Sequence, residues 1–396
     1  MAVFDRARNR HLIYVAGFLM DFVCAFIVGA VAVYAVELGA SPVQLGLIGA
    51  TGAALYVAAS LSAGRLCDRF SRKISILAYC AVGAAASLLF VRARLIAELF
   101  IYYGLYHLSI GLFWPTLQSL LADSRHRRNL TTTLGNFCLS WSLGFAAGHY
   151  ACGWLTRIDS RLPFLWCVYL SLAILLVCLA LSDLEGDEKS ASRDYLDRAE
   201  GKPRALWEKY LVCGWLANFT LVFILGTAKM LFPKLALDVD GLDRSTLGLM
   251  LALIHGGQFL MFWLVRYWHG WQYNRRVYLT VQLLALPGTG LLAFTSSVFT
   301  YAAGMLLVGI CAGFTYTSSI YYSASRPPDS STRTGFHEAF IGLGILIGPL
   351  TGGFVAGKWG LHAPYTLGIL LAVSVLLLQS WLLYRPAHSF DKAKVS

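Results

Sequence analysis

Charge is what this 396-residue sequence has least of: only 13% of its residues are Asp, Glu, Lys or Arg, against 57% hydrophobic. Soluble domains carry about a quarter charged residues, so a water-solvated surface of ordinary size is excluded. No Gly-x-x-x-x-Gly-Lys-Ser/Thr phosphate loop occurs, which argues against direct nucleotide-driven work. The nearest approach to a zinc-protease helix, His337-Glu338-Ala339-Phe340-Ile341, has isoleucine where the second histidine belongs. Neither a metal site nor a cofactor is expected. Nine cysteines are present, but Cys24, Cys80, Cys138, Cys152, Cys167, Cys178, Cys213 and Cys311 lie in apolar runs without paired or metal-ligand spacing. They read as small core residues. The first apolar run, behind Arg6, Arg8 and Arg10, is too long for a cleavable signal and lacks a small-residue cleavage site.

What is abundant is long apolar sequence, together with 37 glycines. A helix needs about 20 mostly apolar residues to cross a bilayer, and on that basis the chain is an all-α membrane protein of twelve spans. They are placed at 12–36, 44–64, 74–91, 95–122, 131–155, 163–182, 209–233, 245–267, 276–295, 298–324, 333–357 and 361–384. The net charge of +11 sits in short clusters between these runs, the pattern of loop topology signals, so nucleic acid is not an expected partner. About 24 of the 32 Lys and Arg residues fall on the side of the two termini, and about seven on the other. Both termini are therefore expected in the cytoplasm of a cell-membrane protein.

The longest polar stretch divides the chain into halves at 1–182 and 209–396, with a cytoplasmic linker at 183–208. Gly135, Gly144, Gly148 and Gly153 of span 5 recur 200 residues later as Gly335, Gly344, Gly348 and Gly353 of span 11, and Gly104 and Gly304 share the offset. Two pseudo-symmetric six-helix bundles around a midplane site follow from such a repeat.

Between spans 2 and 3 lies Gly64-Arg65-Leu66-Cys67-Asp68-Arg69-Phe70-Ser71-Arg72-Lys73. It resembles the Gly-x-x-x-Asp-Arg-x-Gly-Arg-Arg/Lys loop of the major facilitator superfamily, with Ser71 where the family usually has Gly. The resemblance implies that Asp68, Arg69 and Arg72, with Gly64 and Lys73, form a cytoplasmic gate that latches the halves. Arg125, Arg127, Arg128 or the start of span 11 near Thr332 to Thr334 are the candidate partners. The alternative is that these charges only set topology. Span 11, with Gly344, Gly348, Pro349, Gly352 and Gly353, is similar to the family's antiporter motif. Span 5, where antiporters carry that motif, has His149 and Cys152 at two of its positions. Helix packing and a proline bend are the physical part that survives. His107, four residues before Gly111, takes the place where family members often have an arginine linked to proton coupling.

Ionisable residues within spans are costly and point to a pathway. Asp21 lies about 15 Å into span 1 and His107 about 18 Å into span 4. Spans 1, 4, 7 and 10 line the cavity in the resembled family, so these two are expected to meet there. A protonated Asp21 and a neutral His107 tied between helices are the structural alternatives. His255 and Gln258 share one face of span 8, while Glu338, about 9 Å into span 11, serves either the cavity or the gate. Tyr106, Trp114, Trp141, Tyr316 and Tyr322 are candidates to stack a flat substrate, or are simply core. Lys229 is expected to snorkel outward along span 7, with presentation of a cation to the cavity as the alternative.

The expectation is a secondary transporter moving a small molecule by alternating access, with proton-coupled export of an amphipathic compound favoured. It would work as a monomer in a lipid bilayer. Uptake or uniport on the same fold, and a non-transporting receptor or scaffold docking partners on 183–208, are the competing readings.

Overall fold

A computed structural model describes residues 2–69, 72–123, 130–181, 202–268, 270–326 and 330–385. In hydrocarbon every backbone polar group needs a partner within the segment, which leaves the helix as the open solution. Among the described residues every regular element is helical. The first half contains α1 (Ala2–Glu37), α2 (Pro42–Arg69), α3 (Arg72–Arg92), α4 (Ile96–Asp123), α5 (Leu130–Ile158) and α6 (Leu162–Leu179). The second contains α7 (Arg204–Lys234), α8 (Arg244–Tyr267), α9 (Arg275–Leu283), α10 (Ala285–Phe294), α11 (Val298–Ala324), α12 (Ser330–Trp359) and α13 (Ala363–Tyr384).

Eleven stretches are long and apolar enough to cross a membrane, counting α9 and α10 as one. The twelfth span is α5, which is long enough but diluted by Gly, Ser and Thr together with Asn136 and His149. It survives because it is packed between α1 and α8. Outward faces are apolar, with Leu61 and Phe299 79% and 85% exposed, as a lipid solvent requires.

Three boundaries differ from the sequence expectation. Span nine, expected whole over 276–295, breaks at Leu284, because Pro287 has no amide hydrogen and its ring displaces the carbonyl of Leu283. Span seven begins at Arg204 inside the expected 183–208 linker; the Trp207 indole donates to the Tyr322 carbonyl at 3.1 Å and to Ser325 Oγ at 3.0 Å, seating that first turn on α11. The described part of the charged segment 64–73 is helix: α2 runs to Arg69 and α3 starts at Arg72.

Packing repeats between the halves. In the first, α1 lies on α5, α2 on α4, and α3 on α4 and α6; in the second, α7 lies on α12, α8 on α11, and α10 on α11 and α13. The glycine repeat has a geometric counterpart. Gly144 and Gly148 meet the backbone of Phe18 and Phe22 on α1, while Gly344 and Gly348 meet Phe219 and Phe223 on α7. Gly104 and Gly304 are not equivalent: the first abuts Leu55 of α2, the second Gly288 of α10. Gly111 and Gly313 are the matching pair in these spans, against Tyr56 and Gln258.

The halves meet where α5 crosses α8 and where α2 crosses α12. Lipid supplies no hydrophobic drive between helices, so close backbone approach must hold such seams. At the end away from the termini, Gly153 lies on Gly248 and Gly353 on Gly46. A methyl on Gly153 would sit 2.6 Å from the Arg244 carbonyl oxygen and 2.7 Å from the Gly248 Cα, so no other residue fits without movement. Arg244 adds a polar clasp at the same end, donating to the Thr156 carbonyl at 2.6 Å and pairing with Glu37 of α1.

Candidate functional site

A cavity of about 230 Å³ lies between the halves, centred at mid-depth and extending toward the termini end. Its far boundary is the glycine seam just described. Toward the termini, side chains rather than backbone close the α5–α8 seam: the Trp141 ring is 5.2 Å from Phe262 and 5.6 Å from Tyr316.

The wall is built symmetrically. On α1, Asp21, Cys24 and Val28 face the cavity at a spacing of three and four residues, which places them on one helix face. On α7, Val222, Leu225 and Lys229 face it at the same spacing, each 201 residues later. The halves thus offer the same stripe with different charge: an acid at the first position of one, a lysine at the third position of the other.

Seven of the eight residues expected at the site line this cavity: Asp21, His107, Trp114, His255, Gln258, Tyr316 and Glu338. Asp21 and His107 share it, yet no hydrogen bond or ion pair within 4.0 Å joins them among the described residues. His107 Nδ1 donates instead to the Tyr103 carbonyl one turn back, at 2.9 Å. Tyr106 turns away and lines a small void with Met20, Tyr79 and Cys80, because successive helical residues point about 100° apart. Tyr322 lies at the base of the second half, its hydroxyl accepting from the Tyr273 amide at 2.9 Å.

Lys229 takes the less favoured of the two placements expected for it. Rather than snorkelling outward, it lines the cavity, with Nζ 4.5 Å from the centroid of Phe145 on α5. The reason is azimuth: four residues after Leu225 and seven after Val222, it lies on the inward stripe of α7. The 200-residue glycine offset of the sequence sets Lys229 opposite Gly29; the packing of Gly144 and Gly148 on Phe18 and Phe22, and of Gly344 and Gly348 on Phe219 and Phe223, makes the offset between α1 and α7 201 and sets Lys229 opposite Val28. Phe137 and Phe145, also cavity residues, carried no signal in the sequence.

Behind Phe145 three rings lie nearly parallel. His255 is 4.3 Å from Phe145 at 10° and 5.3 Å from His149 at 15°. His255 Nδ1 donates to Gln258 Oε1 at 2.6 Å, and His149 Nδ1 to the Phe145 carbonyl at 3.0 Å. His149 is buried in the α5–α8 seam and does not line the cavity.

Of the expected gate, Lys73 is the residue whose side chain can be placed. It donates to the Leu181 carbonyl at 2.8 Å, closing the end of α6 within its own half rather than latching the two halves. The side chains of Gly64-to-Arg72 motif residues Asp68, Arg69 and Arg72, and residues Arg125, Arg127 and Arg128, lie outside the described residues. In α12, Pro349 packs against Gly49 of α2 and Gly226 of α7, so the proline of the glycine motif sits where three helices converge at the cavity.

Comparison with known proteins covers almost the whole chain. The family described as Major Facilitator Superfamily matches residues 13–272 and 241–394. Multidrug resistance protein 1 of Bacillus subtilis (strain 168) is 25% identical over 363 residues, 89% of this chain and 90% of that protein. Among solved structures, the nucleoside transporter NupG superposes with a TM-score of 0.73 at 13% identity, covering 96% of this chain and all of that one. A bacterial homolog of the human lysosomal transporter Spinster, inward-facing and unoccupied, gives 0.69 at 15% identity over 98% of both chains.

Proposed function

The chain belongs to the Major Facilitator Superfamily and is a secondary active transporter, and from that premise we propose that it exports an amphipathic small molecule in exchange for protons. The observation that carries this reading is the pair of carboxylates, Asp21 and Glu338, facing an aromatic-walled cavity with no ion-pair partner within 4.0 Å among the described residues. A carboxylate held at mid-membrane without a counterion is neutralised by a proton, and a cavity that alternates its access carries that proton across.

Asp21 is the principal proton carrier and Glu338, nearer the termini, exchanges protons with the cytoplasm. His107 and Gln258 supply polar contacts, and Trp114, Trp141 and Tyr316 supply flat apolar surface for the substrate. The far-end glycine seams and the Arg244–Glu37 clasp hold one state; separating them while the termini end closes yields the other. The termini are cytoplasmic, the gate motif residues Asp68, Arg69 and Arg72 latch that side, and the two six-helix halves move as bodies joined by the linker. The name of the Bacillus subtilis relative, a multidrug resistance protein, supports export of amphipathic compounds. A scaffold that merely retained the fold would have no use for a cavity lined by three ionisable side chains, Asp21, Lys229 and Glu338, that make no direct ion pair among the described residues.

The test is flux in proteoliposomes. An imposed pH gradient is expected to drive aromatic dye accumulation in wild-type vesicles. Asp21→Asn is expected to abolish that dependence while substrate–substrate exchange persists. Flux indifferent both to the gradient and to Asp21→Asn would overturn the coupling.

A further inference from the structure

No acid makes a direct ion pair with Lys229. Among the described residues no carboxylate oxygen comes within 4.0 Å of its nitrogen, and no other Lys or Arg lines the cavity. Its direct neighbour is the face of Phe145, an attraction weaker than that of a full negative charge. The symmetric position on α1 is Val28, so the ammonium is an addition to one wall and not part of the repeat that builds the fold.

The rest of that wall fits the same sign. His255 occupies the Gln258 carbonyl oxygen, which leaves the Gln258 amide nitrogen as a donor at the cavity surface. Two donors, one of them cationic, therefore stand on α7 and α8, beside the rings of Phe145, Trp141 and Tyr316. The cavity's acids are on other helices, α1 and α12. A proton arriving through the cavity can neutralise a carboxylate, and the ammonium, in direct contact with no acid, gains a contacting counter-charge from an anion that enters.

We propose that the transported molecule is an aromatic organic anion whose acid group displaces Phe145 as the partner of Lys229, accepts from the Gln258 amide, and lays its ring system on the Trp141–Tyr316 surface. This rests on the transport reading above and adds the substrate's charge to it. The acids remain for protons, so substrate and proton occupy different groups of opposite sign.

Three probes sharing one ring body separate the possibilities: 2-naphthylacetate, 2-naphthylethanol and 2-naphthylethyl-trimethylammonium, measured by equilibrium binding and by counterflow with the full-length protein in liposomes. The anion is expected to bind wild-type protein at least about tenfold more tightly than the alcohol, with the cation weakest. Lys229→Gln should erase the anion's advantage without weakening the alcohol, and Lys229→Arg should keep most of it. Equal or tighter binding of the alcohol or the cation overturns the proposal, as does an anion preference that persists in Lys229→Gln. Should Lys229→Gln fail to fold, the wild-type charge series decides alone. Gradient-driven flux of the cation with no anion preference would leave the transport reading standing and this proposal refuted; no flux of any probe, with no binding, would remove both.

Discussion

Replacing Gly153 by alanine tests whether the far-end seam is what holds the halves in the present arrangement. The added methyl would stand 2.7 Å from the Gly248 Cα and 2.6 Å from the Arg244 carbonyl oxygen. Both neighbours are backbone, so neither can rotate aside, and α5 must move from α8 by about 0.7 Å to restore ordinary contact. Overpacking of this kind costs about 1–3 kcal/mol. If the cost falls on the far-end-closed state alone, its population relative to the far-end-open state drops by about 5- to 150-fold. Nitroxide labels at Ile158 and Val239, exposed on opposite halves at that end, report the separation by pulsed electron resonance with Cys67 and Cys138 replaced by serine. The distance distribution should shift outward for Gly153→Ala and stay put for Gly135→Ala on the same helix, where the nearest atoms are 3.5 Å away on a flexible arginine. An unchanged distribution for Gly153→Ala, or an equal shift for Gly135→Ala, would refute the idea that backbone contact locks the seam.

Arg244→Gln should move the same distances in the same direction by less, because its ion pair with Glu37 is about 30% exposed and such pairs contribute about 0.2–1 kcal/mol. A double-mutant cycle with Glu37→Gln should recover that coupling, and added salt should shrink it. Asp243 caps α8, accepting from the Ser245 and Thr246 amides at 2.9 and 3.1 Å, and the Ser245 and Thr246 hydroxyls hold its carboxyl well below the usual carboxylate range. A depressed folded pKa contributes stability above the unfolded value and loses it as pH falls below about 4. Thermal melting of Asp243→Ala should therefore lie below wild type by a constant margin from pH 5 to 8, and the margin should narrow as the medium is acidified below pH 4. Asp21→Asn and Lys229→Gln, described above, are expected to affect different quantities: gradient dependence for the first, charge preference for the second.

Much of the site was legible because intramembrane polar residues are scarce and depth follows from counting along a helix. Asp21, His107, His255 and Gln258 were placed by that reasoning, and all four face the cavity. Tyr106 and Lys229 went the other way for a shared reason. Depth along a span says nothing of rotation about its axis, and one residue's step separates His107 at the cavity from Tyr106 behind it. The Gly104–Gly304 pairing misled because spacing along the chain does not reveal the partner helix: Gly104 packs across to α2 and Gly304 across to α10.

The amino-acid sequence by itself determined the number of spans, their division into two sets and the end shared by the termini, because each depends on local apolar length and on where basic residues cluster. Only the tertiary structure decided which face of each helix turns inward, and so brought Asp21, Lys229, Gln258 and Glu338 around one cavity. It also decided that the far end is the closed one. Rotation and closure are properties of contacts between helices, set by where a glycine lets two backbones touch, and no single segment contains that information.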